Sequence, residues 1–311
     1  MKTPVCIIGP TACYKTETAV CLADRLNGEV ISADSVQIYK ELNIGSAKPS
    51  AEECRGIPYH LINLISPDDR SFSVHVYQSM ASECLSDIQS RGLLPIICGG
   101  SGLYVNSIIA PLNFAVPKDP DIRMKLEKEY DRSPENLFSF LRQIDPESAS
   151  RLHPNDRKRI VRAVEVYECS GKRLSDFGNQ FQCGIDHPVS KFCLIGLTMA
   201  RERLYQRINL RVDRMIRDGL VEEVRVIFDN YKDPSLPALQ AIGYRQLLPY
   251  LRGESDLESA VEQIKLESRR FAKRQLIWFR RNPLIRWYSL DQGLNPVLND
   301  MIDYIEDEID A

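Results

Sequence analysis

The chain has no uninterrupted apolar run near the roughly 20 residues that a membrane-spanning helix needs, which excludes a helical membrane protein. Its nine cysteines, an odd number scattered along the sequence, include no C-x-x-C pair and no zinc-type spacing. A disulfide framework and a zinc ribbon are therefore disfavoured, and reduced core thiols in a cytoplasmic protein are expected. The opening stretch MKTPVCIIGP lacks a long apolar segment and a small-residue cleavage site, which argues against secretion. Internal repeats and low-complexity linkers are missing as well. What is present is ordinary for a globular protein: 311 residues, 43% apolar and 27% charged, enough for about two folded units.

The net charge is only −3, but it is unevenly distributed. Residues 151–173, 201–217 and 265–286 together hold 21 of the 40 basic residues and 6 of the 43 acidic ones, a local charge of +15. The rest of the chain is then −18. Such polarisation allows a basic face toward a polyanion despite an acidic total. Three solvated helix faces pointing apart would satisfy the charge pattern equally well.

Strand-like and helix-like segments alternate in the first third. Val5–Ile8, Glu29–Ser32 and Leu93–Cys98 read as buried strands, and Lys15–Leu26, Ser73–Gln89 and Ser101–Ala110 as helices. Alternation with glycine-containing turns predicts a parallel α/β sheet. Pro111, Pro117 and Pro120 break the pattern, and residues 121–170 read as successive helices. A strand resumes at Phe192–Thr198, followed by long helices at Arg201–Gly219 and about Leu257–Arg281. The expected architecture is a P-loop parallel-sheet α/β core, residues 1–115 plus 188–311, with a small all-helical insertion domain at 116–187.

After the first strand come Gly9-Pro10-Thr11-Ala12-Cys13-Tyr14-Lys15-Thr16. This approximates the phosphate-binding pattern G-x-x-x-x-G-K-[ST] between a strand and a helix. In that pattern backbone N–H groups curl around phosphate oxygens, Lys15 reaches the terminal phosphates and the Thr16 hydroxyl can sit on Mg²⁺. The second glycine, however, is Tyr14. If that position needs left-handed geometry, the side chain costs about 1–2 kcal/mol, and its ring competes for the phosphate's space. By itself the segment also reads as an ordinary turn before an amphipathic helix.

Ordered blocks through the rest of the chain are more specific. They include Ile31-Ser32-Ala33-Asp34-Ser35-Val36-Gln37-Ile38-Tyr39, Ile44-Gly45-Ser46-Ala47-Lys48-Pro49 and Gly99-Gly100-Ser101-Gly102-Leu103-Tyr104. His153-Pro154-Asn155-Asp156, Gln240-Ala241-Ile242-Gly243-Tyr244-Arg245, Ala272-Lys273-Arg274-Gln275 and Trp278-Phe279-Arg280 follow in the same order. Together these blocks resemble the tRNA dimethylallyltransferase (tRNA isopentenyltransferase) family over nearly the whole chain.

The resemblance implies transfer of a dimethylallyl group from dimethylallyl diphosphate, with Mg²⁺, to N6 of the adenosine 3′-adjacent to the tRNA anticodon. It implies that the loop Gly9–Thr16 holds the prenyl diphosphate and that the helical insertion grips the anticodon stem-loop. Asp34 matches the catalytic base, and Lys15 and Thr16 the groups that stabilise the leaving diphosphate, with Thr16 the metal position. Ser35, Val36 and Gln37 match residues that meet the adenine, and an Asn/Gln amide is a natural bidentate partner for adenine. Without the family, Asp34 reads as a turn cap. Arg203, Arg207, Arg211 and Arg214 form one helical stripe. Arg207 and Arg211 are its diphosphate candidates, and a solvated face is the alternative.

Ser101 stands where the family usually has threonine, and with Arg123 it matches tRNA-contact positions. Lys158, Arg159 and Arg162 read as phosphate-backbone contacts, extended by Lys273, Arg274 and Arg280. Tyr39 and Trp278 read as core residues before base-stacking ones. The chain is expected to act as a monomer without a membrane. Because Cys13 and Tyr14 replace the family's Ser-Gly, a tRNA-binding relative with weak or no transfer is the second reading. A small-molecule phosphotransferase on the same fold is the third.

Overall fold

The computed structural model describes residues 2–110, 116, 119–177 and 192–310. The chain divides into two compact units, Met1–Pro111 with Cys183–Ala311, and Leu112–Gln182. The expected domain joints at 115 and 188, together with Pro111, Pro117 and Cys183, lie outside the described residues.

In the larger unit six described strands form one fully parallel sheet. They are β1 (Val5–Ile8), β2 (Gly28–Ala33), β3 (Tyr59–His60), β4 (Leu94–Gly99), β5 (Cys193–Thr198) and β6 (Arg286–Ser289), in the order β3-β2-β4-β1-β5-β6. β1, β2 and β4 are buried along their whole length, which explains their largely apolar sequences, Glu29 and Ser32 of β2 being buried polar exceptions. Alternate side chains feed two cores: Cys6, Ile8 and Ile31 enter one, and Val5, Ile7 and Val30 the other.

Helices cover these faces. They are α1 (Lys15–Leu26), the short α2 (Ala51–Cys54), α3 (Val74–Ser90) and α4 (Gly102–Ile109) before the second unit. In that unit lie α5 (Pro120–Arg132), α6 (Pro134–Ile144), α7 (Pro146–Arg151) and α8 (Arg157–Ser170). The chain then continues with α9 (Arg201–Arg217), α10 (Leu220–Tyr231), α11 (Tyr244–Leu251), α12 (Leu257–Phe279) and α13 (Asn295–Asp310). Among the described residues, no helix is long and apolar enough to cross a membrane.

β1 lies between β4 and β5, the point where the chain's path across the sheet reverses. In open parallel sheets the carboxyl ends of strands at such a point leave a crevice for ligands. The loop after β1 and the turn after β2 both emerge there. Gly9 is needed at this end, because a Cβ there would lie 2.6 Å from the Leu197 carbonyl oxygen on β5.

The smaller unit has its own core, with Leu126, Leu137, Leu141, Ile160 and Val164 inside. Proline occupies the first position of α5, α6 and α7, where its missing N–H costs nothing, so Pro120 starts a helix rather than separating two. Glu165 on α8 is fully buried and accepts from Arg123, Arg162 and the Asp119 N–H. Burial raises its pKa, but the two guanidiniums outweigh that and hold it below the ordinary value.

The sequence reading placed β1, β2, β4 and β5 and the helices that follow them. It did not anticipate β6, whose Arg-Trp-Tyr-Ser sequence lacks an apolar run because it is an exposed edge strand. The two-residue β3 was also missed.

Candidate functional site

Residues 9–14 form the turn from β1 into α1. Two residues without the freedom of glycine, Ala12 (φ 62°) and Tyr14 (φ 54°), adopt left-handed backbone conformations. Tyr14 therefore occupies the geometry for which glycine is used, at about 1–2 kcal/mol. It is also the N-cap of α1 and makes no side-chain cap bond, so the helix's first amides are not closed off by their own cap.

The phenol leans toward α9. Arg207 donates through Nη1 to Tyr14 Oη at 2.6 Å, and its guanidinium carbon lies 3.7 Å from the ring centroid. The same guanidinium donates through Nε to the Ala12 carbonyl at 2.9 Å. One turn on, Arg211 Nη1 donates to Thr11 Oγ1 at 3.2 Å. Both candidate arginines thus reach the loop, whereas Arg203 and Arg214 of the same stripe are exposed. Burial lowers the pKa of Arg211, with nearby Asp34 pulling it back up.

Lys15 folds over the loop and donates to the Pro10 carbonyl at 2.7 Å, and burial lowers its pKa. Thr16 follows Lys15 in the first turn of α1. Cys13 is buried beneath the loop, and burial pushes its thiol up to about 11, which keeps it protonated near neutral pH. All eight cysteines among the described residues are free.

Gln275, which the sequence reading left without a role, holds the loop in place. Its Oε1 accepts from the Thr11 N–H and its Nε2 donates to the Gly100 carbonyl, both at 2.9 Å. The buried amide thereby ties the β1 loop to the end of β4 from α12. Glycine is required opposite it, since a Cβ on Gly100 would lie 2.2 Å from Gln275 Nε2.

Asp34 opens the turn after β2. Its Oδ1 accepts from the Val36 N–H at 2.8 Å and the Gln37 N–H at 3.4 Å, so the capping reading holds. The residue also lines a cavity of about 330 Å³ with Thr11, Ser35, Ser101, Arg211 and Arg274. Ile208, Val212, Met215, Ile264 and Phe271 supply an apolar wall, and Gln240 and Arg245 lie at the same cavity. Tyr14 is not among the residues that line it. A carboxylate, three guanidiniums and an apolar wall thus meet in a space suited to a small ligand with one charged and one greasy end.

The remaining sequence candidates separate. Ser101 accepts from the Ser35 N–H at 3.0 Å, and Val36 is half-buried beside them. Gln37 turns inward, its Oε1 accepting from Ser32 Oγ at 3.0 Å and its Nε2 donating to the Ala47 carbonyl at 3.2 Å. Its amide is thus engaged with the protein, which makes it a brace of the turn. Arg123 and Arg162, both partly exposed, pair with the buried Glu165. Arg162 also donates to the Val116 carbonyl at 2.7 Å. Lys158, Arg159, Lys273 and Arg280 are exposed, as phosphate contacts must be. Tyr39 is buried and Trp278 half-buried against Gly102, in keeping with core roles.

A missed residue with a visible signal is Arg245, which belongs to the quoted Gln240–Arg245 block. Gln275 likewise belongs to the quoted Ala272–Gln275 block, but its partners lie 264 and 175 positions away, so its bridging role was not readable there.

The IPP transferase family profile matches residues 37–282. A tRNA dimethylallyltransferase of Alkaliphilus metalliredigens is 44% identical over 303 residues, covering 96% of both chains. That of Anoxybacillus flavithermus is 45% identical over 306 residues, covering 97% of this chain and 96% of the relative. Among solved structures, the tRNA isopentenylpyrophosphate transferase of Bacillus halodurans aligns with a TM-score of 0.75 at 39% identity, over 100% of this chain and 97% of that one. A eukaryotic dimethylallyltransferase acting on tRNA aligns with a TM-score of 0.78 at 26% identity, over 97% of this chain and 80% of that one. The chain therefore belongs to the IPP transferase family, that of the tRNA dimethylallyltransferases.

Proposed function

We propose that this enzyme transfers a dimethylallyl group from dimethylallyl diphosphate to N6 of the adenosine 3′ to a tRNA anticodon. The cavity carries this reading: it sets Asp34 and Arg211 beside the phosphate-loop residue Thr11 and an apolar wall that suits a prenyl chain. N6 attacks the first carbon of the prenyl group, a C–N bond forms, and the C–O bond to diphosphate breaks with its electron pair leaving on oxygen. Asp34 takes the proton that the amine sheds. Lys15, Arg207, Arg211 and the amides at the start of α1 stabilise the charge growing on the diphosphate. An adenosine must leave its stack to reach such a recess, as in other enzymes that work on bases.

Mg²⁺ fits this loop in one respect. Among the described residues no cluster of three His, Cys, Asp or Glu could hold a metal. A Mg²⁺ carried by diphosphate oxygens and water, though, needs few protein ligands. Thr16 would be that ligand, since its hydroxyl has two lone pairs to offer a cation. Bound there, the ion would neutralise part of the leaving group's charge.

One observation favours a binder with little transfer: Arg207, a diphosphate clamp in the first reading, is already bonded to Tyr14 and Ala12. A small-molecule phosphotransferase has no support from a family match spanning most of the chain. The deciding test offers labelled dimethylallyl diphosphate and Mg²⁺ to two anticodon stem-loops, one with adenosine and one with inosine 3′ to the anticodon. Label on the adenosine substrate alone supports the reading, and label on neither supports the binder.

A further inference from the structure

Glu223, in the first turn of α10, lies outside every motif connected with the reaction, yet four donors converge on its carboxylate. Oε2 accepts from the N–H groups of Asn43 at 2.9 Å and Ile44 at 2.8 Å. Oε1 accepts from the Gly45 N–H at 3.0 Å and from Tyr244 Oη at 2.6 Å. Three consecutive amides aimed at one point form a nest that binds an anion, and here the protein supplies the anion from about 180 residues away.

The held segment reaches the cavity, since Gly45 and Ser46 line it together with Asp34 and Ser35. Gly45 also packs so closely on Tyr244 that a Cβ there would lie 2.5 Å from its ring. The next residue, Ala47, is in the left-handed conformation (φ 47°) and accepts through its carbonyl from Gln37 Nε2. Gln37 in turn accepts from Ser32 on β2, so it links the loop to the strand that precedes Asp34. Lys48 closes the far side by donating to the Tyr39 carbonyl and to Asn43 Oδ1.

We infer that Glu223 is a positioning residue for the acceptor side of the reaction. By templating residues 43–45 it fixes the Gly45–Ser46 wall and, through Ala47, the Gln37 brace beneath Asp34. It touches neither the phosphate loop nor Arg207 or Arg211 in any bond described above, so its influence falls on how the amine and the base meet and spares diphosphate binding. The inference rests on the transfer reaction proposed above.

The test compares wild type, Glu223→Gln and Tyr244→Phe. Gln matches Glu in size but presents an NH₂ group to donors, so one arm of the nest is broken. Losing bonds to a charged acceptor predicts a fall of roughly tenfold or more in kcat/KM for the anticodon stem-loop. Inorganic pyrophosphate affinity should stay within about twofold, and amide exchange at residues 43–45 should quicken. Tyr244→Phe removes one bond of four and should give a smaller loss in the same direction. Unchanged transfer kinetics in Glu223→Gln overturn the inference, as does an equal loss of pyrophosphate affinity. If Glu223→Gln does not fold, Tyr244→Phe decides by the same two criteria. Wild type that makes no product overturns the activity instead, and stem-loop affinity with amide exchange then decides for Glu223: no change in either variant overturns it.

Discussion

Replacing Tyr14 by glycine probes the feature that separates this loop from the usual pattern. Glycine relieves about 1–2 kcal/mol of left-handed strain at φ 54°. It gives back roughly 0.5–1 kcal/mol through the greater freedom of the unfolded chain. Against this small gain stands the loss of the guanidinium–ring contact at 3.7 Å, worth about 0.5–2 kcal/mol. The bond from Arg207 to the phenol at 2.6 Å adds about 1.5 kcal/mol or more, because one partner is charged. The two lost contacts come to about 2–3.5 kcal/mol against a net backbone gain of about 0–1.5, so the variant should fold less stably by about 0.5–3.5 kcal/mol, with Arg207 released from its seat. With the ring absent from the cavity lining, Tyr14→Gly should weaken pyrophosphate binding up to about tenfold in titration calorimetry. Tyr14→Phe, which keeps the ring, should fall between the two. A glycine variant that binds pyrophosphate tenfold more tightly, or gains transfer that wild type lacks, would refute the reasoning by showing that the ring blocks the loop.

Gln275→Ala leaves the Thr11 N–H and the Gly100 carbonyl without their partner and should cost about 2–3 kcal/mol in urea unfolding, with a raised KM for the prenyl diphosphate. Unchanged stability would mean that the bridge is replaced by water at no cost. Glu29 is held down to about 2 chiefly by hydrogen bonds from Arg91, with burial opposing and His60 assisting. Its folded pKa lies below the unfolded value, so its contribution is complete above pH 4.5 and disappears as pH falls through about 2. That contribution is on the order of 2–3 kcal/mol, the half-exposed Arg91 screening part of it, and Glu29→Gln should flatten stability against pH across that window. Lys158→Ala with Arg159→Ala should reduce the slope of log affinity for tRNA against log salt by close to 2. An unchanged slope would remove both residues from the interface.

The strand–loop–helix at residues 5–26 was legible because local pattern decides it: four apolar residues, a glycine that cannot carry a Cβ, then helical spacing. Asp34 was legible through its block, and the arginine stripe through its period, although only packing reveals that Arg207 and Arg211 reach the loop while Arg203 does not. Block position marked Arg123, and charge beside the His153–Asp156 block marked Arg162, as RNA contacts, but neither signal showed that both pair with Glu165. The i,i+3 spacing of Arg162 and Glu165 was the available signal. Gln275, Glu223 and the inward amide of Gln37 were beyond reach, because each acts through backbone atoms of segments far away in the chain or through a turn whose direction only the fold sets. The direction of the Tyr14 ring belongs to the same class.

The central claim is that a carboxylate beside a diphosphate-holding loop accepts a proton from an RNA amine. Asp34→Asn keeps an oxygen for the Val36 and Gln37 amides while removing the base, so the turn survives and the chemistry does not. Single-turnover prenyl transfer to an anticodon stem-loop should slow at least a hundredfold, the size expected for a general base, with pyrophosphate affinity unchanged. A rate within about threefold of wild type would contradict the account.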